Sequence, residues 1–144
     1  MPEPTGLARL TSFKLVVSDL DRAAAFYRTI CGFAQSREMR FSVGGRPFRD
    51  IILQNDPRDH ELTLLAYDDG EAPDPGSVIL TYTTDDLDTF RLKALAAGGA
   101  EITRERSLRL GQWHARIAEF ADPDGNILQI LQKIEAAGKQ EWMP

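Results

Sequence analysis

The residue types that most often carry out chemistry in proteins are scarce in this sequence. It contains one cysteine, Cys31, and two histidines, His60 and His114. No histidine or basic residue is visibly paired with Cys31, whose neighbours are those of a packed helix end, so an activated thiol is not predicted. Serine, histidine and aspartate all occur, but no spacing assembles them into an acyl-transfer set. The sequence therefore assigns no catalytic residue.

The paired glycines do not form a phosphate-binding loop either. Gly44-Gly45 lies in a predicted hairpin and Gly98-Gly99 at a predicted helix end. Neither pair has the Walker or Rossmann spacing that places backbone N–H groups around a phosphate. A nucleotide cofactor is not expected, and no other cofactor is indicated.

Composition restricts the class of protein and of partner. The 144 residues fit one domain, and 42% hydrophobic with 27% charged residues is typical of a soluble globular protein. No apolar run is long enough to span a membrane. The net charge of -5 disfavours nucleic acid, which requires a concentrated basic surface. The first residues do not have the basic segment followed by an apolar segment that is typical of a secretion signal, so we expect a cytoplasmic protein.

Two stretches of the chain have the same order of strand, helix cap and helix. The first has a capping segment around Asp19 and an apolar helical stripe that ends at Gly32. The same parts recur around Asp86 and end at Gly98-Gly99. Asp19 and Asp86 are 67 positions apart, as are Gly32 and Gly99. A constant offset is what an internal duplication leaves, so the chain is predicted to contain two copies of one module.

Each predicted helix is followed by three predicted strands, so the module is βαβββ. The strands are predicted at 38–43, 48–54, 61–67, 101–104, 113–120 and 127–132. The expected single domain, 1–144, divides into module one at about 8–67, a linker at 68–77, module two at about 78–132 and a tail at 133–144. Trp142 in the tail is either a loose residue or a contact with a second subunit.

Two motifs in this pattern are distinctive. The first is Phe13-Lys14-Leu15-Val16-Val17-Ser18-Asp19-Leu20, followed by Ala25-Phe26-Tyr27 and Cys31-Gly32-Phe33. The second is Phe120-Ala121-Asp122-Pro123-Asp124-Gly125-Asn126-Ile127-Leu128-Gln129. Both resemble motifs of the vicinal oxygen chelate superfamily, which includes glyoxalase I, extradiol dioxygenases, fosfomycin-resistance transferases and bleomycin-resistance proteins. The resemblance covers roughly residues 8–132.

The resemblance implies an α+β fold in which the two βαβββ modules form a curved, partly open mixed-sheet barrel with the helices outside. A ligand would enter the cavity between the halves. In the first strand, alternation then places Phe13, Leu15 and Val17 under the helix and leaves Ser12, Lys14 and Val16 pointing into the cavity. Homodimerisation is expected by the same resemblance, and whether the modules pair within one chain or across two stays open.

Metal-dependent members of the superfamily hold a divalent ion with one side chain from each of four strands. The matching positions here are Ser12, Glu61, Ile79 and Gln129. Serine and glutamine are weak ligands and isoleucine cannot coordinate, so one carboxylate remains. A relocated set of Glu61, His114 and Gln129 is the alternative, but an isolated strand histidine is more often a hydrogen-bonded polar side chain. The expectation is therefore no metal, with those three residues as ligands if one is present.

Without a metal, the cavity would act through shape and polarity. The expected lining combines apolar and polar side chains: Ser12, Lys14, Glu61, Ile79, Thr81, Trp113, His114, Arg116 and Gln129. The leading hypothesis is a metal-independent protein of the bleomycin-resistance kind that binds a small organic molecule. The alternatives are a metal-dependent lyase, isomerase or dioxygenase of the glyoxalase type with a relocated or incomplete site, and a regulatory or interaction module with a vestigial cavity.

Overall fold

The computed structural model describes residues 6–7, 10, 12–32, 35–56, 61–110 and 112–134. These ranges contain two βαβββ modules in sequence. The first consists of β1 (Ser12–Val16), α1 (Leu20–Cys31), β2 (Gln35–Val43), β3 (Arg46–Gln54) and β4 (Glu61–Tyr67). The second consists of β5 (Ile79–Thr83), α2 (Leu87–Ala96), β6 (Ala100–Leu110), β7 (Trp113–Ala121) and β8 (Ile127–Lys133). The predicted α+β class and module order are confirmed; Trp142 lies outside the described residues.

Each module folds into its own four-stranded mixed sheet. The strand orders are β1-β4-β3-β2 and β5-β8-β7-β6, so the two sheets have the same topology. The pairs β1/β4 and β5/β8 are parallel, and the remaining pairs are antiparallel. Within the described ranges no strand of one sheet is hydrogen-bonded to a strand of the other, so the sheets do not close into a barrel.

Aspartate side chains start both helices, as the repeat predicted. Asp19 accepts a hydrogen bond from the backbone N–H of Arg22 at 3.1 Å, and Asp86 accepts one from Thr89 at 3.0 Å. These bonds satisfy N–H groups that have no partner inside the helix. None of the helices in the described part of the chain is long and apolar enough to span a membrane.

The glycines at the two helix ends serve different purposes. Gly32 follows α1 in the left-handed conformation, with φ 64°, and its N–H donates to the carbonyl of Arg28. In the second module Gly98 has the positive φ, 101°, while Gly99 allows close packing. A Cβ at Gly99 would lie 2.8 Å from the carbonyl oxygen of Ala121 and 2.9 Å from the ring of Phe26. The end of α2 is therefore shaped by contact with α1.

One apolar core holds the two modules together. Both helices contribute to it, and α1 packs on β3, β4 and α2. The rings of Phe90 and Phe120 pack edge to face at 5.4 Å. The core combines buried side chains of both modules: Leu15, Val17, Leu20, Ala23, Ala24, Phe26, Tyr27, Ile51, Leu53, Leu62, Leu64, Leu87, Phe90, Ala94, Ala118, Phe120, Leu128 and Ile130.

A polar cluster centred on Asp122, the Asp122 clasp, ties the turn before β8 to α1. The clasp consists of Tyr27, Asp122 and Asn126, and Asp122 is 3% exposed. Its Oδ2 accepts hydrogen bonds from the Tyr27 hydroxyl at 2.7 Å and the Asn126 amide at 2.9 Å. Its Oδ1 accepts from the backbone N–H groups of Asp124 and Asn126 at 2.9 and 2.8 Å. The Asp-Pro-Asp-Gly-Asn motif is therefore a structural joint between modules.

We expect Asp122→Ala to lower the free energy of unfolding by about 3 kcal/mol. The substitution leaves the buried Tyr27 hydroxyl without an acceptor and removes the carboxylate that accepts hydrogen bonds from the turn. Urea denaturation measures the change. Asp74→Ala, at an exposed position before β5, is the control and is expected to stay within about 0.5 kcal/mol of the parent protein. Equal stability of the two variants would contradict a structural role for the clasp.

Candidate functional site

The described part of the structure contains a pocket where the first strands of the two modules approach each other. Its volume is about 420 Å³, within the range of small-molecule sites. Side chains from β1, β4 and β5 line it: Phe13, Glu61, Leu62, Ile79, Leu80, Thr81 and Tyr82. The pocket therefore lies between the sheets, as the resemblance predicted, and its walls are mainly apolar.

Phe13 and Ile79 form the accessible apolar wall, with 48% and 56% of their surface exposed. Alternation had predicted that Phe13 packs under α1. Instead α1 packs on β3 and β4, so the beginning of β1 is left without helix cover. Leu15 and Val17, further along the chain, are buried as predicted.

The inner wall of the pocket is uncharged. Desolvation by burial, with the neighbouring Cys31, raises the pKa of the Tyr82 phenol well above its ordinary value. Burial likewise raises the pKa of the Cys31 thiol to about 12, although a hydrogen bond with Tyr82 opposes the shift. Both groups are protonated at neutral pH, so Cys31 has the opposite of an activated thiol environment.

Glu61 is the single carboxylate in the lining. It lies opposite Ser12 in the parallel pairing of β1 and β4, so two of the four positions named from sequence are neighbours. Glu61 Oε1 is 3.4 Å from Arg37 Nη2, on the edge strand β2. The charge of Glu61 is thus partly balanced at the mouth of the pocket.

Gln129 lies beside Thr81 on the neighbouring strand and is not among the residues of the lining. It pairs with Thr81 across β5 and β8, while Ile79 pairs with Ile127. The Gln129 carbonyl accepts a hydrogen bond from the Thr81 hydroxyl, and its amide donates to Glu119, both at 3.2 Å. Both ends of the Gln129 amide are therefore already engaged, and its effect on the pocket is to orient Thr81.

The buried Glu119 is a member of this network that sequence reasoning missed. Arg106 contacts Glu119 at 2.8 Å. Desolvation is the largest influence on Glu119 and raises its pKa, but the hydrogen bonds from Arg106 and Gln129 outweigh it, so the pKa lies below the ordinary 4.5. In the ladder Glu119 pairs with Thr103 and Arg106 pairs with Ile117, across an irregularity in register, so no sequence signal marked the Arg106–Glu119 contact.

The pocket lining does not include Lys14 or Arg116, which were also named from sequence. Lys14 lies on the side of the first sheet away from α1, 3.3 Å from Asp50. Arg116 lies on the helix side of the second sheet, where it contacts Asp88 at 2.9 Å and Glu105 at 2.7 Å. Hydrogen bonds to these two carboxylates raise the pKa of Arg116.

His114 is not among the residues of the pocket lining either. Alternation puts the half-buried His114 on the same side of β7 as Arg116, and its carbonyl accepts from the N–H of Ile134. The structure describes Trp113 only through its backbone, which pairs with Leu110, and its side chain lies outside the described part.

Comparison with known proteins identifies the family. A model of the Glyoxalase/Bleomycin resistance protein/Dioxygenase superfamily matches residues 9–130. This chain belongs to that superfamily. A search of curated proteins finds no match.

Solved structures of the superfamily share the fold. A glyoxalase family protein from Bacillus cereus has a TM-score of 0.70 at 12% identity, over 93% of this chain and 99% of that chain. A superfamily enzyme from Burkholderia phytofirmans has a TM-score of 0.64 at 20% identity, over 88% and 100%. A glyoxalase I variant from Zea mays has a TM-score of 0.67 at 20% identity, over 85% of this chain and 44% of that chain.

The residues at the metal positions expected for this superfamily do not fit a divalent ion. Glu61 supplies a carboxylate, but Ile79 presents a hydrocarbon side chain to the pocket and the Gln129 amide is hydrogen-bonded within the protein. Across the described residues, no three His, Cys, Asp or Glu side chains come together in a group that could hold a metal. A stable site needs several such donors in fixed geometry.

Glu119→Gln tests the network behind Thr81 through its pH dependence. Because the folded-state pKa of Glu119 is below 4.5, its charge stabilises the fold above about that pH, and the contribution fades as the pH falls through the folded-state pKa. We expect the parent protein to be more stable than Glu119→Gln at neutral pH and the gap to shrink in acid. Urea denaturation at a series of pH values from neutral to acidic measures this difference in the free energy of unfolding. A difference that does not change with pH would contradict the prediction.

Proposed function

We propose that this chain is a metal-independent protein that binds a small organic molecule in the pocket between its modules, as the bleomycin-resistance branch does. The observation that carries the proposal is Ile79, an apolar side chain in the lining at a position where a metal ligand is expected. With Phe13, Leu62 and Tyr82 it offers a surface for an aromatic or aliphatic body. Binding there removes apolar surface from water and requires no Lewis acid.

The polar groups at the pocket suggest how a ligand would be oriented. Thr81 is held by Gln129, which leaves a hydroxyl of defined position in the wall. The Glu61–Arg37 pair offers an acceptor and a donor at one end. A partly planar molecule with one or two hydrogen-bonding groups suits this surface better than a highly charged one.

The two alternatives from sequence have less support. A metal-dependent lyase, isomerase or dioxygenase would need ligands that the described residues do not bring together. A vestigial interaction module would need little internal space, whereas the pocket holds about 420 Å³. Reversible binding therefore has the better physical support.

Homodimerisation stays part of the proposal. Leu92 and Leu95 on α2 are large exposed apolar side chains that a second copy could bury. Sedimentation equilibrium tests this, and a monomer at all concentrations would refute it. The cytoplasmic location also stays a proposal, which fractionation of the source cell would test.

Ile79→Trp is the variant that tests the pocket, because the larger ring fills it. Isothermal titration of a panel of neutral aromatic compounds is expected to show saturable binding to the parent protein and at least about tenfold weaker binding to Ile79→Trp, equivalent to about 1.4 kcal/mol. Thr83→Trp is the matched control, since Thr83 is also exposed on β5 but is not in the lining. Equal affinities for the two variants would place binding elsewhere.

A further inference from the structure

Four side chains of the second sheet form a row of hydrogen bonds that ends in the pocket wall, here called the polar relay. Arg106 contacts both oxygens of Glu119, through Nη1 at 2.8 Å and through Nη2 at 3.1 Å. Gln129 Nε2 donates to Glu119, and the Thr81 hydroxyl donates to Gln129 Oε1, both at 3.2 Å. Glu119 is 9% exposed, whereas Thr81 is exposed and belongs to the pocket lining. The relay therefore connects a buried charge to the pocket.

The charged members of the relay fix the direction of every hydrogen bond in it. A guanidinium only donates, and an ionised carboxylate only accepts. Glu119 is ionised at neutral pH, because its pKa lies below the ordinary 4.5. Gln129 must therefore turn its NH2 group toward Glu119, which leaves its carbonyl oxygen facing Thr81. The single hydroxyl proton of Thr81 is directed to that carbonyl, so Thr81 presents an acceptor to the pocket and no donor.

The other polar groups of the described lining add acceptors but no free donor. Glu61 is a carboxylate, and Arg37, the donor that pairs with it, is not among the residues of the lining. The hydroxyl of Tyr82 is hydrogen-bonded to Cys31. The hydrogen-bonding capacity that remains for a ligand is thus that of acceptors, set in walls that are mainly apolar.

We propose that the polar relay makes Thr81 a specificity-determining residue, which selects neutral planar ligands that carry an N–H or O–H donor over ligands that carry only an acceptor. The ligand donates to Thr81 Oγ1 while its ring lies against Phe13 and Ile79. An acceptor-only ligand would place a lone pair against the lone pairs of Thr81. Thr81 could turn its proton to such a ligand only by leaving the Gln129 carbonyl without a partner, which costs free energy. The inference rests on the proposed function and names the ligand class for the same pocket.

Three bicyclic probes of similar size separate donors from acceptors. Indole only donates through its N–H, 1-methylindole neither donates nor accepts, and quinoline only accepts through its ring nitrogen. Isothermal titration is expected to show that the parent protein binds indole about fivefold more tightly than either of the other probes, the difference that one neutral hydrogen bond makes.

Thr81→Val tests the acceptor itself, because it replaces the hydroxyl by a methyl group of similar size. It is expected to bind indole about fivefold more weakly than the parent protein does. Its affinity for 1-methylindole is expected to stay unchanged, since that probe makes no hydrogen bond. Thr83→Val is the matched control: Thr83 is also exposed on β5 but is not in the lining, and its variant should bind all three probes like the parent protein.

Gln129→Leu tests the direction of the hydrogen bonds. Without the amide, the Thr81 hydroxyl can donate into the pocket, so quinoline is expected to bind more tightly and the preference for indole over quinoline to disappear. A purely structural role of Gln129 would instead weaken all three probes together. Circular dichroism checks that each variant is folded.

Equal affinity of the parent protein for indole and quinoline, with both weakened in Ile79→Trp, would overturn the inference and leave the proposed pocket standing. A folded Thr81→Val or Gln129→Leu that keeps the full preference for indole would also overturn it. If none of the three probes binds saturably, the proposed function fails and the inference fails with it.

Discussion

The two modules are joined through their helices and one buried carboxylate, and not by pairing their first strands. Phe26 packs against the turn at Gly99, and Asp122 holds Tyr27 across the module boundary. Because the described β1 and β5 share no ladder hydrogen bonds, the two strands stay in separate sheets, and side chains at the beginning of each line the gap between them. The pocket is therefore a consequence of how the core is assembled. A substitution at the contacts between the modules is expected to change the shape of the pocket.

The chemistry of the pocket follows from which side chains reach it. Ile79 and Phe13 present hydrocarbon, the partly buried Tyr82 stays neutral, and Glu61 is partly balanced by Arg37. Gln129 is engaged with its neighbours on the second sheet. Membership of the superfamily fixes the architecture but not the reaction, since one fold supports different sites. In this chain the described donors favour recognition by shape and hydrogen bonding over coordination.

Much of the fold was predictable because its signals are local. Asp19 and Asp86 cap helices through their own side chains, and period-two alternation in the first strand correctly placed Leu15 and Val17 in the core. The features that the sequence did not predict depend on packing between residues far apart in the chain. Phe13 is exposed because α1 covers other strands, and the charged stretch Arg104–Arg109 continues β6 although it has no apolar alternation. The Arg106–Glu119 contact and the position of Arg116 beside α2 depend on strand register, which the sequence did not provide.

The central claim is that the pocket between the modules works without a metal ion. Elemental analysis of the protein purified without chelators tests it most directly, with Glu61→Gln analysed in parallel. The account predicts far less than one transition-metal ion per chain for both proteins. Close to one zinc, nickel, manganese or iron ion per chain in the parent protein, lost in Glu61→Gln, would contradict it.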